Sequence, residues 1–388
     1  MAKKLIYLDY AAATPIDDVV FSAMQPYFQE NFYNPSAPYQ PAREIRSSIE
    51  SARSTVARCI GAKPTDIIFT AGATESINLA LSIPGHVITC STEHPAVLQK
   101  LNNRSSDDLS IIDVDASGRV DIEAIRSAIR KHTTLITIAL VQNETGTIQD
   151  IKALSDYVKN ERLKRAQTGN SHPLFLHTDA SQAAGIVDIN IARLGVDMMT
   201  LNGGKMYGPK QTGILYASHS VPLVPIVSGG GQENGLRSGT ENVVGIIGFT
   251  KALELAESRR KKESKRLQDI RSHAVDMLRD QHHDIEIISP KKHSAPHILS
   301  IAWPGVDAER LLFALEEKGV LVATGSACAA NKASRSHVLK ALGLPNDVID
   351  GSLRLSFGRI TTETEIAQAV KIISMVVKKE LGRAKKIS

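Results

Sequence analysis

Through the first two-thirds of the chain, apolar runs alternate with stretches whose apolar residues recur at helical spacing. The runs at 66–70, 86–90, 134–141 and 174–177 are apolar at consecutive rather than alternate positions, the pattern of strands covered on both faces. Between them, 42–60 and 122–131 carry the 3.6-residue period of helices. This alternation predicts an α/β fold: a mostly parallel central sheet in a large domain. A long polar helix at 245–280 then leads toward a second, smaller α+β domain beginning near Ile285. That unit is predicted to hold a strand at 295–302, a helix at 307–318, and strands at 320–324 and 352–357. The division expected is 15–258 for the large domain, and 1–14 with 259–388 for the small one.

Composition narrows the class without changing this picture. The chain has 388 residues, 42% of them hydrophobic and 22% charged, which is ordinary for a folded soluble protein and argues against disorder. A formal charge of +5 is modest. The basic stretch at 259–262 reads as a solvated helix face, with contact to an acidic protein or tRNA as the alternative, and that at 378–386 as an exposed helix end, with an acidic partner as the alternative. No direct nucleic-acid binding is expected. The N-terminal apolar run is broken at once by Asp9, unlike a secretory leader, and no segment reaches the length of a membrane helix. Three cysteines at 59, 90 and 328 are too far apart for a zinc site or a disulfide frame, so a cytoplasmic location is expected.

Four segments end an apolar run with polar groups, where ligands of open α/β sheets bind. In 69–78 (FTAGATESIN), small residues before a helix leave amides free for an anion; an ordinary helix with Thr74 as N-cap reads equally well. In 176–182 (LHTDASQ), Asp179 can pair with a protonated ring nitrogen, or act as a turn residue. In 200–209 (TLNGGKMYGP), Lys205 can point inward, where desolvation lowers an amine's pKa, or stand in solvent. In 322–328 (VATGSAC), Cys328 sits on a Gly/Ser-rich loop as a candidate nucleophile. Cys59 and Cys90 lie in apolar stretches and read as packing residues.

Taken in order, these stretches resemble the NifS/IscS-type cysteine desulfurases, fold-type I enzymes of aminotransferase class V that depend on pyridoxal 5'-phosphate (PLP). The likeness is carried by YLDYAAATP (7–15), NPSAP (34–38), FTAGATESINLA (69–80), STEHPAV (91–97), QNETGTIQDI (142–151) and HTDASQAAG (177–185). It continues through GKMYGPK (204–210), GGGQENGLRSGTEN (229–242), TGSACAA (324–330), SHVLKALGL (336–344) and LRLSFGRITT (353–362), and so spans nearly the whole chain. The resemblance implies that Lys205 holds PLP covalently and removes the substrate's α-proton. Asp179 would meet the pyridine nitrogen, Gln182 and Asn143 the ring-hydroxyl region, and His94 the ring face, where it could also act as a catalytic acid or base. Ala73, Thr74 and Asn202 would form the phosphate cup, joined by Thr240 from a second subunit of a homodimer. Arg354, with Asn143, would bind the carboxylate of L-cysteine. Cys328 would take the sulfur as a persulfide and pass it to an iron–sulfur scaffold or a tRNA-thiolation protein, the 328–336 stretch matching the long-loop group.

The chain departs from the family pattern at several positions. Gly204 replaces the usual histidine that helps hold the phosphate, Tyr39 stands where histidine is common, and Asn202, Gln142 and Asn234 replace serine, asparagine and arginine. The competing expectations are another class V enzyme, such as a selenocysteine lyase or an aminotransferase, and a scaffold that only binds sulfur-carrier partners.

Overall fold

The helical spacing of Ala42, Ile45, Ile49, Ala52, Val56 and Ile60 is realised in the helix Gln40–Ile60, which buries all six on one face. Pro41 opens it, at a position where a missing N–H costs nothing. The computed structural model describes residues 5–325 and 335–384; Cys328 therefore lies outside the described residues.

Seven strands form one sheet in the order Ile67–Thr70, Gly213–Ala217, Met198–Asn202, Phe175–Asp179, Thr133–Thr137, His86–Cys90 and Leu109–Ile112. All pairings among the last five are parallel. Gly213–Ala217 runs antiparallel to both neighbours. The inner strands Thr133–Thr137 and His86–Cys90 are buried at every residue, whereas the edge strand Leu109–Ile112 leaves Ile111 exposed. This is why the inner strands read as unbroken apolar runs. Parallel strands also end at a common edge, so the segments after Thr70, Cys90, Asp179 and Asn202 all emerge on one side of the sheet.

A second, antiparallel sheet has the order Ala323–Thr324, Ser352–Ser356, Ile298–Ala302, Glu286–Ile287. The N-terminal strand Ile6–Tyr7 pairs in parallel with Val320–Leu321 beside it. The helix Val243–Gln281 is common to two apolar cores. Ile246, Phe249 and Leu253 pack with the large sheet, and Leu267, Ile270 and Leu278 with the small one.

Some boundaries differ from those predicted. The helix expected at 122–131 stops at Ala128, because Ile129 turns extended at φ −66° and ψ 127°. The strand expected at 134–141 leaves the regular ladder after Thr137, although Ile138 and Leu140 still donate to the carbonyls of His177 and Asp179. The segment 320–324 is split into two short strands joined to different sheets.

Phe249 is fully buried and packs against Gly203, whose missing Cβ would sit 3.2 Å from its ring. Phe249→Ala should cost about 3–5 kcal/mol of stability, measured by equilibrium urea unfolding.

Candidate active site

The turn after Met198–Asn202 carries Lys205. The Oδ1 atom of Asn202 accepts the N–H of Gly204 at 3.0 Å and closes the short 3-10 turn Gly203–Lys205. Gly203 is required here, since a Cβ would come within 2.9 Å of the Pro209 carbonyl and 2.4 Å of the Thr212 hydroxyl. Lys205 Nζ donates to the carbonyls of Ala11 at 2.8 Å and Ala12 at 2.5 Å. Gln182 Nε2 donates to the same Ala11 oxygen at 2.9 Å. Thr14 ties this segment down, its hydroxyl donating to the Gly204 carbonyl and accepting the Tyr207 N–H.

Asp179 ends its strand with one carboxylate oxygen held by the Ser181 N–H at 2.9 Å and hydroxyl at 2.6 Å. His94 caps the helix Pro95–Leu101 by accepting the Ala96 N–H at Nδ1, 3.0 Å away. That bond assigns the proton of the neutral ring to Nε2. The ring is exposed toward the cleft, yet crowding by the cleft walls is the largest influence on it and lowers its pKa. Asp179 opposes this, while Lys205 and His337 add to it. Lys205, Gln182, Asp179 and His94 are thus brought to one region of the sheet edge.

The residues expected to form a phosphate cup take a different local form from the capped-helix expectation. The N-cap of Ala73–Ala80 is Gly72, not Thr74, and it makes no side-chain cap. Gly72 has φ 133°, and a Cβ there would meet nothing within 4 Å. The first-turn N–H groups of Ala73 and Thr74 donate to no partner among the described residues. Gly213 allows the neighbouring strand to pass close by, since a Cβ would fall 2.8 Å from the Gly72 Cα. Two free amides at a helix N-terminus, an inward lysine and a fixed carboxylate match the phosphate, aldehyde and pyridine nitrogen of PLP. The residues fit the group. Thr240 is exposed, on the loop after Ser238.

Arg354 is buried rather than part of a surface ion pair. It donates to Asp9 Oδ1 at 2.7 Å and to the Asn143 carbonyl at 3.0 Å. Sequence reasoning missed several neighbours. His297 donates from Nε2 to Gln182 Oε1 at 3.3 Å, and burial with Arg354 nearby pushes its pKa down to about 3. Glu144 accepts from Ser336 at 2.6 Å, and burial raises its pKa. Glu93 accepts the Ala139 N–H at 2.6 Å, while its Oε2 has no partner among the described residues. Burial, aided by Asp179, pushes its carboxyl up to about 8. The signal for Glu93 was its place beside His94. His297 had none, because a histidine inside an apolar run reads as core.

A family model described as aminotransferase class-V matches residues 6–369. A cysteine desulfurase IscS of Dictyoglomus turgidum is 38% identical over 387 residues, covering 97% of this chain and 95% of the relative. A putative cysteine desulfurase IscS 1 of Bacillus subtilis is 38% identical over 385 residues, covering 96% and 99%. Among solved structures, a NifS-like protein superposes with a TM-score of 0.87 at 31% identity, covering 96% of this chain and 99% of that one. A structure of SspA in complex with cysteine gives 0.77 at 31% identity, covering 90% and 98%.

Two outcomes follow from the site. The raised pKa of Glu93 means the folded state favours the neutral acid. The stability this confers is complete below the ordinary carboxyl value and is lost as pH rises through about 8. Glu93→Gln stays neutral, so its melting temperature relative to wild type should climb across that window. At Gly204 the backbone is not left-handed, and a Cβ would meet nothing closer than 3.5 Å. Gly204→His should therefore be accommodated and strengthen PLP binding about tenfold or more, the effect of one hydrogen bond to a charged group, as measured by equilibrium dialysis.

Proposed function

This chain belongs to the aminotransferase class-V family, and on that premise we propose that it is a PLP-dependent cysteine desulfurase. It removes sulfur from L-cysteine, releases L-alanine and carries the sulfur as a persulfide on Cys328. The observation that carries this reading is the convergence of Lys205 and Gln182 on the Ala11 carbonyl, beside Asp179 and His94.

When bound, PLP supplies an electron sink for the electron pair left at the substrate's α-carbon. The chain's own groups do the rest. Ala73 and Thr74 would donate their amides to the phosphate, helped by the helix dipole, with Asn202 as a further holder. Asp179, oriented by Ser181, would accept a hydrogen bond from a protonated ring nitrogen, and Gln182 and Asn143 would serve the ring hydroxyl. His94, its Nδ1 accepting the Ala96 N–H, would cover the ring face. Arg354 grips the substrate carboxylate with a planar fork that lysine lacks. Lys205 would hold the cofactor, and its Nζ is the group that would take the substrate's α-proton. The thiolate of Cys328 attacks the substrate sulfur; an S–S bond forms as the C–S bond breaks, and the three-carbon product gains protons to leave as alanine.

The same reading makes the protein a cytoplasmic homodimer, with Thr240 completing the partner's phosphate cup. In support, Phe32 and Tyr39 are 65% and 50% exposed and join Tyr33 in a surface aromatic cluster, which a monomer would leave in water. No helix among the described residues is long and apolar enough to cross a membrane. Three apolar cores, two on the large sheet and a separate one on the small sheet, support a division into 15–258 and 1–14 with 259–388. The sulfur acceptor is an iron–sulfur scaffold or a tRNA-thiolation protein.

Incubation with L-cysteine and a reductant should give alanine and sulfide in equal amounts, and mass spectrometry before reduction should place the extra sulfur on Cys328. Lys205→Ala should lower the rate by about a hundredfold to ten-thousandfold. Full activity of Cys328→Ala would reject the persulfide route.

A further inference from the structure

Arg354 sits in the middle of Ser352–Ser356, in register with Ser300 on one side and Ala323 on the other. Its side chain is 7% exposed, and that of its partner Asp9 is 22% exposed. Of the five N–H groups on a guanidinium, one on Nη2 goes to Asp9 and one on Nη1 to the Asn143 carbonyl. Nε is buried and has no partner among the described residues. A cation so enclosed needs a counter-charge. His297 nearby is held neutral by burial, and the Glu144 carboxyl is occupied by Ser336. Asp9 is the carboxylate in direct contact. It is also firmly placed: its carbonyl accepts the Tyr7 hydroxyl at 2.8 Å, its backbone bridges Ser356, and the Ala11 N–H two residues on donates to Ser356 Oγ at 2.9 Å.

We propose that Asp9 is a resident counter-anion for Arg354 and sets how tightly the enzyme holds the carboxylate of any amino acid. The inference rests on the reading that Arg354 is the carboxylate clamp, and deepens it. An incoming carboxylate reaches N–H groups that Asp9 leaves open, but meets an arginine whose charge is already balanced and an anion beside it. Asp9 therefore weakens the hold on substrate and product alike. Recognition depends on the geometry of the open N–H groups more than on net charge, and alanine is released readily. The Asp9 carboxylate pairs with Arg354, and Asp9 is a positioning and specificity residue acting through it.

Asp9→Asn keeps the shape and an oxygen to accept from Nη2 while removing the charge. Titrated into the holoenzyme and followed by visible absorbance, L-alanine should bind the variant about fivefold more tightly, the effect of removing roughly 1 kcal/mol of repulsion. KM for L-cysteine should fall in step, with kcat unchanged or lower as product leaves more slowly. Ethylamine, which is alanine without its carboxylate, should bind both proteins equally, a contrast that a general loosening of the fold would not produce. Unchanged or weaker L-alanine binding by Asp9→Asn overturns the proposal. Arg354→Lys separates the two readings. If it leaves L-alanine binding intact, the clamp reading itself fails; if it weakens L-alanine but not ethylamine while Asp9→Asn tightens neither, only the role of Asp9 fails.

Discussion

The oxygen of Ala11 accepts from Lys205 Nζ and Gln182 Nε2 together, while the amide of the same residue donates to Ser356. Three parts of the molecule meet at that one peptide: the loop after Met198–Asn202, the turn after Phe175–Asp179, and the small sheet. The segment from Asp9 to Thr14 has no regular structure across most of its length, yet its backbone carbonyls hold Lys205. A carbonyl is a suitable anchor because it accepts from the ammonium without adding a charge that would compete with Asp179. The N-terminal strand Ile6–Tyr7, only two residues long, matters because it delivers this segment to its place.

Much of the site was legible because the inner strands are buried on both faces. Unbroken apolar runs marked their ends, and parallel pairing carried those ends to one edge, so Asp179, Lys205 and the stretch at Ala73 could be expected to meet. What escaped detection has physical causes. Gly213–Ala217 follows a glycine-rich turn and runs antiparallel, so nothing in its five residues distinguishes it from the end of the preceding loop. Thr74 looked like a cap because threonine favours that position, but Gly72 adopts a backbone that threonine would resist, and the helix starts sooner. Asp9 was visible only as a charge interrupting an apolar run. Its meaning lay in Arg354, some 345 residues away, and no local pattern could connect the two.

The cleft also concentrates groups whose charge is suppressed by their surroundings. Glu93 and Glu144 are pushed toward the neutral acid, and His297 and His94 toward the neutral base. These four groups lie close to Asp179, Lys205 and Arg354. In a low-dielectric setting each remaining charge acts with less competition. Perturbed acids and bases gathered around one cleft are also what a functional site produces.

The helix Val243–Gln281 runs unbroken for 39 residues, roughly 60 Å at 1.5 Å per residue, and is embedded in both apolar cores. A rod shared in this way cannot act as a pivot at its midpoint without breaking its own hydrogen bonds. A change in the width of the cleft would therefore have to be absorbed by the other connections between the two cores, among them the peptides around Ala11, which line a pocket together with the helix residues Leu255, Ala256 and Arg259.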